Sequence, residues 1–470
     1  VASECVPLVK TGGLADVVGA LPRALAAQGV DMRVMLPAYP GLLKKLGKTV
    51  EIAAESDLGG GPARIMKGAL DGITVLLVDA PHLFDREGGI YGNPKDYPDN
   101  PERFAAFSFA AAQIGMLGGR DGWVADILHA HDWQAALAPA FVRWADDTRL
   151  KTVLTIHNIA FQGIAPSSRM GAMRLPGWAF NADGYEYWGN INMLKAGLMT
   201  AHKLSTVSPS YANELMRGEF GMGLDGVIRA RAADMIGILN GVDTDVWDPL
   251  GDEAIASYSA KTLKDKSKNR TALLREFALE DAPGPLAIVI SRLTGQKGID
   301  LIADVAPEFV ASGGAIAVLG SGEPYFEDRL MALTRTLPGR VAVEIGYDEG
   351  LSHRMFAGGD AVLVPSRFEP CGLTQMYGLR YGTLPVVAAT GGLNDTVIDA
   401  SPAALAADAA TGFMFHPTDA LALQQCLRRM TDVYADPKAW AAMQVRAMKS
   451  DVSWDVSSKA YLSLYQGLLG

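Results

Sequence analysis

Polar and reactive side chains lie at the ends of short apolar runs in the first half of the chain. His129, His131 and Asp132 end one such run, and His157 and Asn158 end the next. Ligands of open α/β sheets bind at the carboxyl ends of the strands, so these residues are expected to line a site if the runs are strands. His129 and His131 could also ligate a metal, but no third ligand lies near them in sequence, so no metal site is predicted.

The second half of the chain supplies cations and a carboxylate at corresponding positions. Arg292 and Lys297 lie five residues apart after one apolar run, and two cations at this spacing suit a diphosphate. Glu369 follows another run, just before Gly372 and Thr374, where a helix is expected to begin. A carboxylate would then lie beside backbone N–H groups that bind anions. Each residue taken singly also has a simpler interpretation. Arg292 and Lys297 could lie on a solvated surface loop, and Glu369 could cap a helix.

A glycine loop occurs twice in the chain. Thr11-Gly12-Gly13-Leu14-Ala15-Asp16 returns as Thr390-Gly391-Gly392-Leu393-Asn394-Asp395, and each copy precedes a helical pattern. Backbone N–H groups at the start of a helix form an anion site. For one copy alone, a tight turn is the simpler interpretation.

Short apolar runs alternate with amphipathic stretches along the whole chain, which is typical of βαβ units with parallel sheets. The segment from Asn240 to Lys268 interrupts this alternation with Asn-Gly and Asp-Pro turns and a polar run, so a domain boundary is predicted there. Val1-Ala2-Ser3 is expected to form the last residues of a buried strand. The other predicted strands are Val30–Leu36, Ile73–Asp79, Ile127–Ala130, Thr152–His157, Lys203–Ser208, Ile236–Leu239, Leu286–Ser291, Ala315–Gly320, Val341–Ile345, Ala361–Pro365, Pro385–Ala388 and Gly412–Phe415.

Composition and motif searches exclude several classes of protein. The chain has 470 residues, 42 basic and 52 acidic, and its net charge of −10 argues against binding nucleic acid or an anionic membrane. Its three cysteines are far apart, so neither a disulfide framework nor a zinc site is predicted, and the expected location is the cytoplasm. Gly320-Ser321-Gly322 lacks the third glycine of a dinucleotide loop, and the spacing from Gly41 to Gly47 does not fit a P-loop.

The surviving motifs closely resemble those of bacterial glycogen synthases and plastid starch synthases, in order over essentially the whole chain. The resemblance implies an α/β fold of the GT-B type, with two Rossmann-like parallel-sheet domains and a deep interdomain cleft. It also implies retaining transfer of glucose from ADP-glucose to the non-reducing end of an α-1,4-glucan in glycogen synthesis, without a metal or cofactor. The motifs are Ser3-Glu4, Lys10–Asp16, His129–Trp133, His157-Asn158, Asn240–Asp243, Ser291–Leu293, Gln296–Gly298 and Ser366–Gln375.

The same resemblance implies a domain division. Residues 1–243 are expected to form an N-terminal domain on the acceptor side, and residues 244–452 a C-terminal domain that binds the nucleotide sugar. Residues 453–470 are expected to form a helix that crosses back to the first domain, with Tyr461 and Tyr465 on one face.

Site roles follow from the resemblance as well. Glu369 is expected to hold sugar hydroxyls, His157 to lie near the reacting glucose, and Arg292 and Lys297 to carry the charge of the leaving ADP. These four are the predicted catalytic residues. The predicted substrate-binding residues are Lys10, Gly12, Gly13, Asp16, Asp132, Asn158, Asn240, Tyr347 (stacking on adenine), Cys371, Gly372, Leu373 and Thr374.

Three alternatives remain open at this point. Asp132 is the nearest candidate for the nucleophile of a covalent retaining mechanism, but it could equally be a helix N-cap. The enzyme could use UDP-glucose, as a sucrose-synthase-like transferase does, although the block from Lys10 to Leu14 argues against this. The chain could also be a catalytically silent glucan-binding protein, which would have no need for Arg292 and Lys297.

Overall fold

The computed structural model describes residues 1–93 and 95–470, and the chain folds as two compact units. Unit 1 comprises residues 1–240 together with 454–470, and unit 2 comprises residues 241–453. Within the described residues, none of the helices combines the length and apolar character that crossing a bilayer requires.

Unit 1 contains two four-stranded sheets and one small sheet. The first has the order β1-β4-β3-β2, in which β2 and β3 run antiparallel, and the second has the parallel order β11-β10-β6-β5. The small antiparallel sheet has the order β7-β9-β8. The strands are β1 (Arg33–Pro37), β2 (Val50–Glu55), β3 (Ala63–Leu70), β4 (Ile73–Asp79), β5 (Ile127–His131), β6 (Lys151–Ile156), β7 (Ile164–Pro166), β8 (Glu186–Tyr187), β9 (Asn190–Asn192), β10 (Lys203–Thr206) and β11 (Met235–Gly237).

The first two residues link the two larger sheets of unit 1. The Ala2 N–H donates to the Met35 carbonyl at 3.1 Å, and the His131 N–H donates to the Val1 carbonyl at 3.1 Å. Met35 lies on β1 and His131 on β5, so the carboxyl ends of both sheets are held at one edge of the unit.

The helices of unit 1 connect these strands. They are α1 (Gly13–Ala26), α2 (Leu42–Leu46), α3 (Pro81–Phe84), α4 (Asn100–Leu117), α5 (Asp132–Ala135), α6 (Leu137–Trp144), α7 (Met193–Thr200), α8 (Pro209–Leu215) and α9 (Asp225–Ala230), with 3₁₀ turns at Ser167–Arg169, Gly177–Ala179 and Ala232–Asp234.

Unit 2 is built on one parallel sheet with the order β14-β13-β12-β15-β16-β17. Helices cover both faces: Ala287 and Val289 pack into one hydrophobic cluster, while Leu286 and Ile288, one residue out of phase, pack into another. The strands are β12 (Leu286–Ile290), β13 (Ala315–Gly320), β14 (Val341–Ile345), β15 (Ala361–Val364), β16 (Leu384–Ala388) and β17 (Phe413–Phe415). The helices are α10 (Lys266–Glu276), α11 (Ile299–Ala311), α12 (Pro324–Thr336), α13 (Glu349–Gly358), α14 (Thr374–Tyr381), α15 (Gly391–Thr396), α16 (Pro402–Ala406), α17 (Ala420–Tyr434) and α18 (Pro437–Lys449), with 3₁₀ turns at Leu263–Asp265 and Gly295–Lys297.

The last helix, α19 (Trp454–Leu469), belongs to unit 1 and packs against α1. Tyr461 and Tyr465 lie one turn apart on its buried face, where they join a hydrophobic cluster with Val17, Leu21 and Leu25 of α1. Unit 1 is therefore completed by a segment that follows unit 2 in the sequence.

The predicted α/β class with parallel sheets is confirmed, but the prediction missed β2, β3, β7, β8 and β9. Most residues of β2 are exposed or half-buried, and β8 has only two residues. Such strands lack the continuous apolar run on which the prediction depended. The antiparallel arrangement of β2 and β3 also shows that the first sheet is mixed rather than parallel.

Candidate active site

Three imidazoles meet at the carboxyl ends of β5 and β6. The rings of His129 and His131 stack with centroids 4.2 Å apart, and His131 Nδ1 lies 2.9 Å from His157 Nε2. On its other side His129 contacts the Tyr465 hydroxyl at 2.7 Å through Nδ1 and the Thr155 hydroxyl at 2.5 Å through Nε2. His129 thus connects β5 to β6 and to α19 inside unit 1. His157 is the least buried of the three rings.

Burial keeps these rings uncharged at neutral pH. It lowers the pKa of His157 from 6.5 to about 3, and it lowers the pKa values of His129 and His131 well below 6.5. Within residues 1–93 and 95–470, no cluster of three or more His, Cys, Asp or Glu side chains is arranged to hold a metal ion.

Asp132 sits at the turn from β5 into α5 and holds the neighbouring loop. Its φ of +55° is unusual for a residue with a side chain, and such strain is often found at functional sites. Its Oδ1 accepts the N–H groups of His157 at 2.6 Å and Asn158 at 3.3 Å. Burial raises the pKa of Asp132 from 3.8 to about 7, although these two N–H groups oppose the rise. Because the N-cap position is occupied by His131, the helix-cap interpretation of Asp132 is wrong.

The first glycine loop of unit 1 is held by a buried carboxylate. Glu4 is 3% exposed, and its Oε2 accepts the N–H groups of Thr11 at 2.5 Å and Gly12 at 3.1 Å. Its Oε1 accepts the Tyr91 hydroxyl at 2.7 Å. The Gly12 N–H is therefore bound to the Glu4 carboxylate within unit 1.

The side chains on either side of this loop pair with each other. Lys10 Nζ lies 2.7 Å from Asp16 Oδ1, and the Lys10 side chain is 45% exposed. Gly13 begins α1, at the end of the loop. Lys10 can donate three hydrogen bonds, so donors remain for a ligand while the ion pair stays intact.

Asn240 lies at the end of unit 1 and is buried. Within the part of the chain that the structure describes, its amide oxygen is buried without a hydrogen-bond partner. A buried polar atom without a partner costs free energy, so a ligand that donates to it would be favoured.

In unit 2, the loops that follow β12, β15 and β16 lie side by side because these strands are neighbours in the sheet. Glycines allow the close approach of their backbones. A Cβ on Gly298, whose φ is +67°, would lie 2.1 Å from the Pro365 carbonyl oxygen, and one on Gly391 would lie 2.0 Å from that of Glu369. The Gly392 N–H donates to the Glu369 carbonyl at 3.1 Å. The second glycine loop thus supports the segment that carries Glu369.

Lys297 and Glu369 form the ion pair at the centre of this cluster. Lys297 Nζ lies 2.5 Å from Glu369 Oε2, which also accepts the Ser366 hydroxyl at 2.8 Å. The two charged side chains are only 19% and 10% exposed. Arg292, on the same loop as Lys297, is exposed, and among the residues that the structure describes it pairs with no carboxylate.

The remaining predicted residues of unit 2 flank this pair. Leu373 is the N-cap of α14, which begins at Thr374, and its apolar side chain makes no capping hydrogen bond. Cys371 is 5% exposed. Tyr347 follows β14 and is 77% exposed, with its hydroxyl 3.2 Å from Glu349 Oε2.

Each unit thus holds one group of the predicted residues, and sequence reasoning missed several side chains that position them. Arg367 binds Asp300 through two N–H···O contacts of 2.8 and 2.6 Å and so joins the loops of Lys297 and Glu369. An acidic residue followed seven residues later by a Thr-Gly-Gly loop could have indicated the role of Glu4. Tyr91 and Thr155 were missed as well. Ser366 and Tyr465 were singled out from the sequence, but their contacts with Glu369 and His129 were not predicted.

Comparison with known proteins gives matches along the whole chain. Residues 1–230 match the family described as the starch synthase catalytic domain, and residues 271–446 match glycosyl transferases group 1. The chain is 57% identical to a glycogen synthase of Cereibacter sphaeroides and 55% identical to one of Paracoccus denitrificans, in each case over 100% of this chain and 98% of the relative.

Solved structures agree with these matches. The catalytic domain of starch synthase IV from Arabidopsis thaliana, bound to ADP and acarbose, superposes with a TM-score of 0.87 at 31% identity, over 99% of this chain and 98% of that one. A sucrose-phosphate synthase from Thermosynechococcus elongatus shares the fold alone, with a TM-score of 0.60 at 17% identity. The fold is therefore of the GT-B type, and the chain belongs to the glycogen synthase family of glycosyltransferases.

Proposed function

We propose that this glycosyltransferase moves glucose from ADP-glucose to the non-reducing end of an α-1,4-glucan with retention of anomeric configuration. The observation that carries the proposal is the group of anion-binding elements in unit 2: Arg292, Lys297 and the start of α14 at Thr374. The ADP in the related starch synthase IV structure supports the choice of nucleotide.

In the proposed reaction, the bond between glucose C1 and the diphosphate oxygen breaks, and the electron pair leaves with ADP. The 4-hydroxyl oxygen at the non-reducing end of the glucan forms the new bond to C1, and its proton is released. Charge then develops on the diphosphate, where Arg292 and Lys297 stabilise it as preorganised cations. Lys297 donates one hydrogen bond to Glu369 and has two donors left for phosphate oxygens. The N–H groups of Gly372, Leu373 and Thr374 add partial positive charge.

Glu369 is proposed to hold hydroxyls of the transferred glucose. Its carboxylate accepts from Lys297 and Ser366 through Oε2, which leaves Oε1 for the sugar. Because Lys297 binds both this carboxylate and the diphosphate, the sugar and the leaving group are positioned by one side chain. The exposed ring of Tyr347 is proposed to stack on adenine, and Cys371, which is 5% exposed, is proposed to belong to the loop that binds the donor.

The residues of unit 1 are proposed to act on the glucose and on the acceptor. The neutral His157 offers a hydrogen bond without a charge, which suits a position beside a sugar ring that becomes positive in the transition state. Asp132 fixes the backbone of His157 and Asn158, so it is proposed to position these residues. Asn240, Lys10, Asp16 and the loop at Gly13 complete the substrate-binding set.

We propose that acceptor binding and donor binding are assigned to different parts of the chain. Residues 1–243 take the acceptor, residues 244–452 bind the donor, and residues 453–470 complete the acceptor side. The compartment that we propose is the cytoplasm, because the chain is acidic and its cysteines are few and far apart.

The test is a comparison of glucose donors. Wild-type protein is incubated with glycogen and either ADP-[¹⁴C]glucose or UDP-[¹⁴C]glucose, and the labelled glucan is digested with β-amylase, which releases only α-1,4-linked sugar. We expect at least tenfold more incorporation from the ADP sugar, all of it released. Equal or greater use of UDP-glucose would replace the proposed donor, and label resistant to β-amylase would refute the proposed α-1,4 linkage. Absence of incorporation from either donor would favour a silent glucan-binding protein.

A further inference from the structure

An exposed tryptophan occupies a strained position at the tip of a hairpin in unit 1. β8 and β9 pair Tyr187 with Asn190, so Trp188 and Gly189 form a two-residue turn. Both turn residues have positive φ, +51° for Trp188 and +79° for Gly189, as in a type I′ turn. The first position of this turn favours Asn, Asp or Gly. Trp188 is 85% exposed, so burial within unit 1 does not offset the strain.

The hairpin is held firmly, so the indole is presented in a defined place. The Gly189 N–H donates to Glu186 Oε1 at 2.7 Å, and Lys195 Nζ donates to the Glu186 carbonyl at 2.6 Å. The Tyr187 hydroxyl packs against Gly223, where an added Cβ would lie 2.2 Å from it. A rigid aromatic platform loses little conformational entropy when it binds a ligand.

Two further apolar side chains are exposed beside this hairpin. The carbonyl of Met222 accepts both the Gln162 side-chain amide at 3.0 Å and the Tyr187 hydroxyl at 3.4 Å. These contacts join the chain segments that carry Phe161, Trp188 and Met222, whose side chains are 61%, 85% and 44% exposed. We call these three residues the aromatic patch. The Phe161 N–H donates to the Asn158 carbonyl at 3.3 Å, so the patch continues directly from the loop that carries His157.

The chemistry of the aromatic patch selects among possible occupants. Its three side chains expose roughly 400 Å², well below the about 800 Å² per partner that a stable protein interface needs. The net charge of −10 opposes contact with an anionic bilayer. A ligand with apolar C–H faces and hydroxyl edges fits both the rings and the amide of Asn190, whose Nδ2 donates to the Trp188 carbonyl. A pyranose chain has this character.

We propose that the aromatic patch binds glucose units of the acceptor glucan several residues away from its reacting end. This inference rests on the proposed function, since it assigns the glucan to unit 1 and extends the site beyond His157 and Asn158. The strain at Trp188 is then explained, because the indole stacks on a sugar ring rather than on the protein.

The test uses Trp188→Asn, which installs a residue that the turn prefers and should therefore leave Tm equal to or above that of the wild type. Binding is measured by retardation in gels containing glycogen and by calorimetric titration with maltoheptaose. We expect about five- to tenfold weaker binding of both glucans, and a similar rise in KM for glycogen with a smaller rise for maltotriose. Trp188→Phe should recover part of the loss.

Leu117→Asn is the matched control. Leu117 ends α4, is 76% exposed and lies near the start of β5, at the opposite end of that strand from His131. This variant should bind glycogen as the wild type does. Unchanged glucan binding by Trp188→Asn would overturn the inference. So would a variant that still binds glucan but loses binding to phosphatidylcholine vesicles or loses self-association. Because gel retardation needs no donor, it tests the aromatic patch even if ADP-glucose proves not to be a substrate.

Discussion

Removal of the ammonium group of Lys297 should affect activity and stability through two separable effects. In Lys297→Met, the side chain keeps its length and loses its charge. Preorganised stabilisation of the leaving diphosphate is lost, which should lower kcat by about 10²–10³, or ~2.7–4 kcal/mol. The KM for ADP-glucose should change less than kcat, because the charge on the diphosphate is greatest in the transition state.

The same change leaves the carboxylate of Glu369, only 10% exposed, with the Ser366 hydroxyl as its remaining described partner. Breaking a fully buried ion pair costs ~3–5 kcal/mol. Because Lys297 keeps 19% exposure, we expect a smaller loss of about 2–3 kcal/mol, or roughly 4–12 °C in the Tm of a unit of this size.

A double-mutant cycle separates the two effects. Glu369→Gln in the Lys297→Met background removes the unpaired charge, so it should restore most of the lost stability while kcat stays at least 10²-fold low. Thermal unfolding followed by calorimetry and single-turnover assays on all four proteins give the cycle. If Lys297→Met keeps more than half the wild-type kcat, or if the double variant regains activity together with stability, the proposed catalytic role of Lys297 is wrong.

Three further predictions follow from the site residues. Since Arg292 and Lys297 are proposed to carry the leaving-group charge, activity should survive exhaustive dialysis against EDTA, and loss restored by Mg²⁺ would contradict this. Burial lowers the pKa of His157 to about 3, so below pH 6.5 the unfolded chain binds a proton that the folded chain does not. The contribution of His157 to the free energy of unfolding is therefore full above pH 6.5 and falls by about 1.4 kcal/mol per pH unit towards pH 3. In an NMR titration, the ¹³Cε1 signal of His157 should not shift between pH 8 and 5. Cys371 is only 5% exposed, so its thiol should be inert and native protein should resist iodoacetamide until it unfolds. Rapid labelling of Cys371 that ADP-glucose prevents would show instead that the thiol faces the donor.

The class of the fold could be predicted because its central strands are continuous apolar runs. All six residues of β13 are buried, and such a continuous apolar run by itself predicts a buried strand. The half-exposed β2 and the short β8 have no comparable apolar run. They are strands because they pair with neighbouring strands, which their own residues do not predict.

In the candidate site as well, the sequence predicted which residues are involved but not which residues they contact. The sequence indicated Lys297 and Glu369 separately, yet their ion pair joins residues 72 apart. It exists because β12 and β15 are neighbours although β13 and β14 lie between them in the chain. The contact between His129 and Tyr465 spans 336 residues, and no local pattern contains such information.

The return of α19 to unit 1 has a consequence for synthesis of the protein on the ribosome. The apolar face of α1, with Val17, Leu21 and Leu25, is translated before unit 2, but Tyr461 and Tyr465 that cover it are translated after the whole of unit 2. Throughout elongation the nascent unit 1 therefore displays an uncovered hydrophobic stripe, of the kind that chaperones bind. A chain released before residue 454 would retain this stripe permanently, so cellular quality control could distinguish incomplete molecules from finished ones.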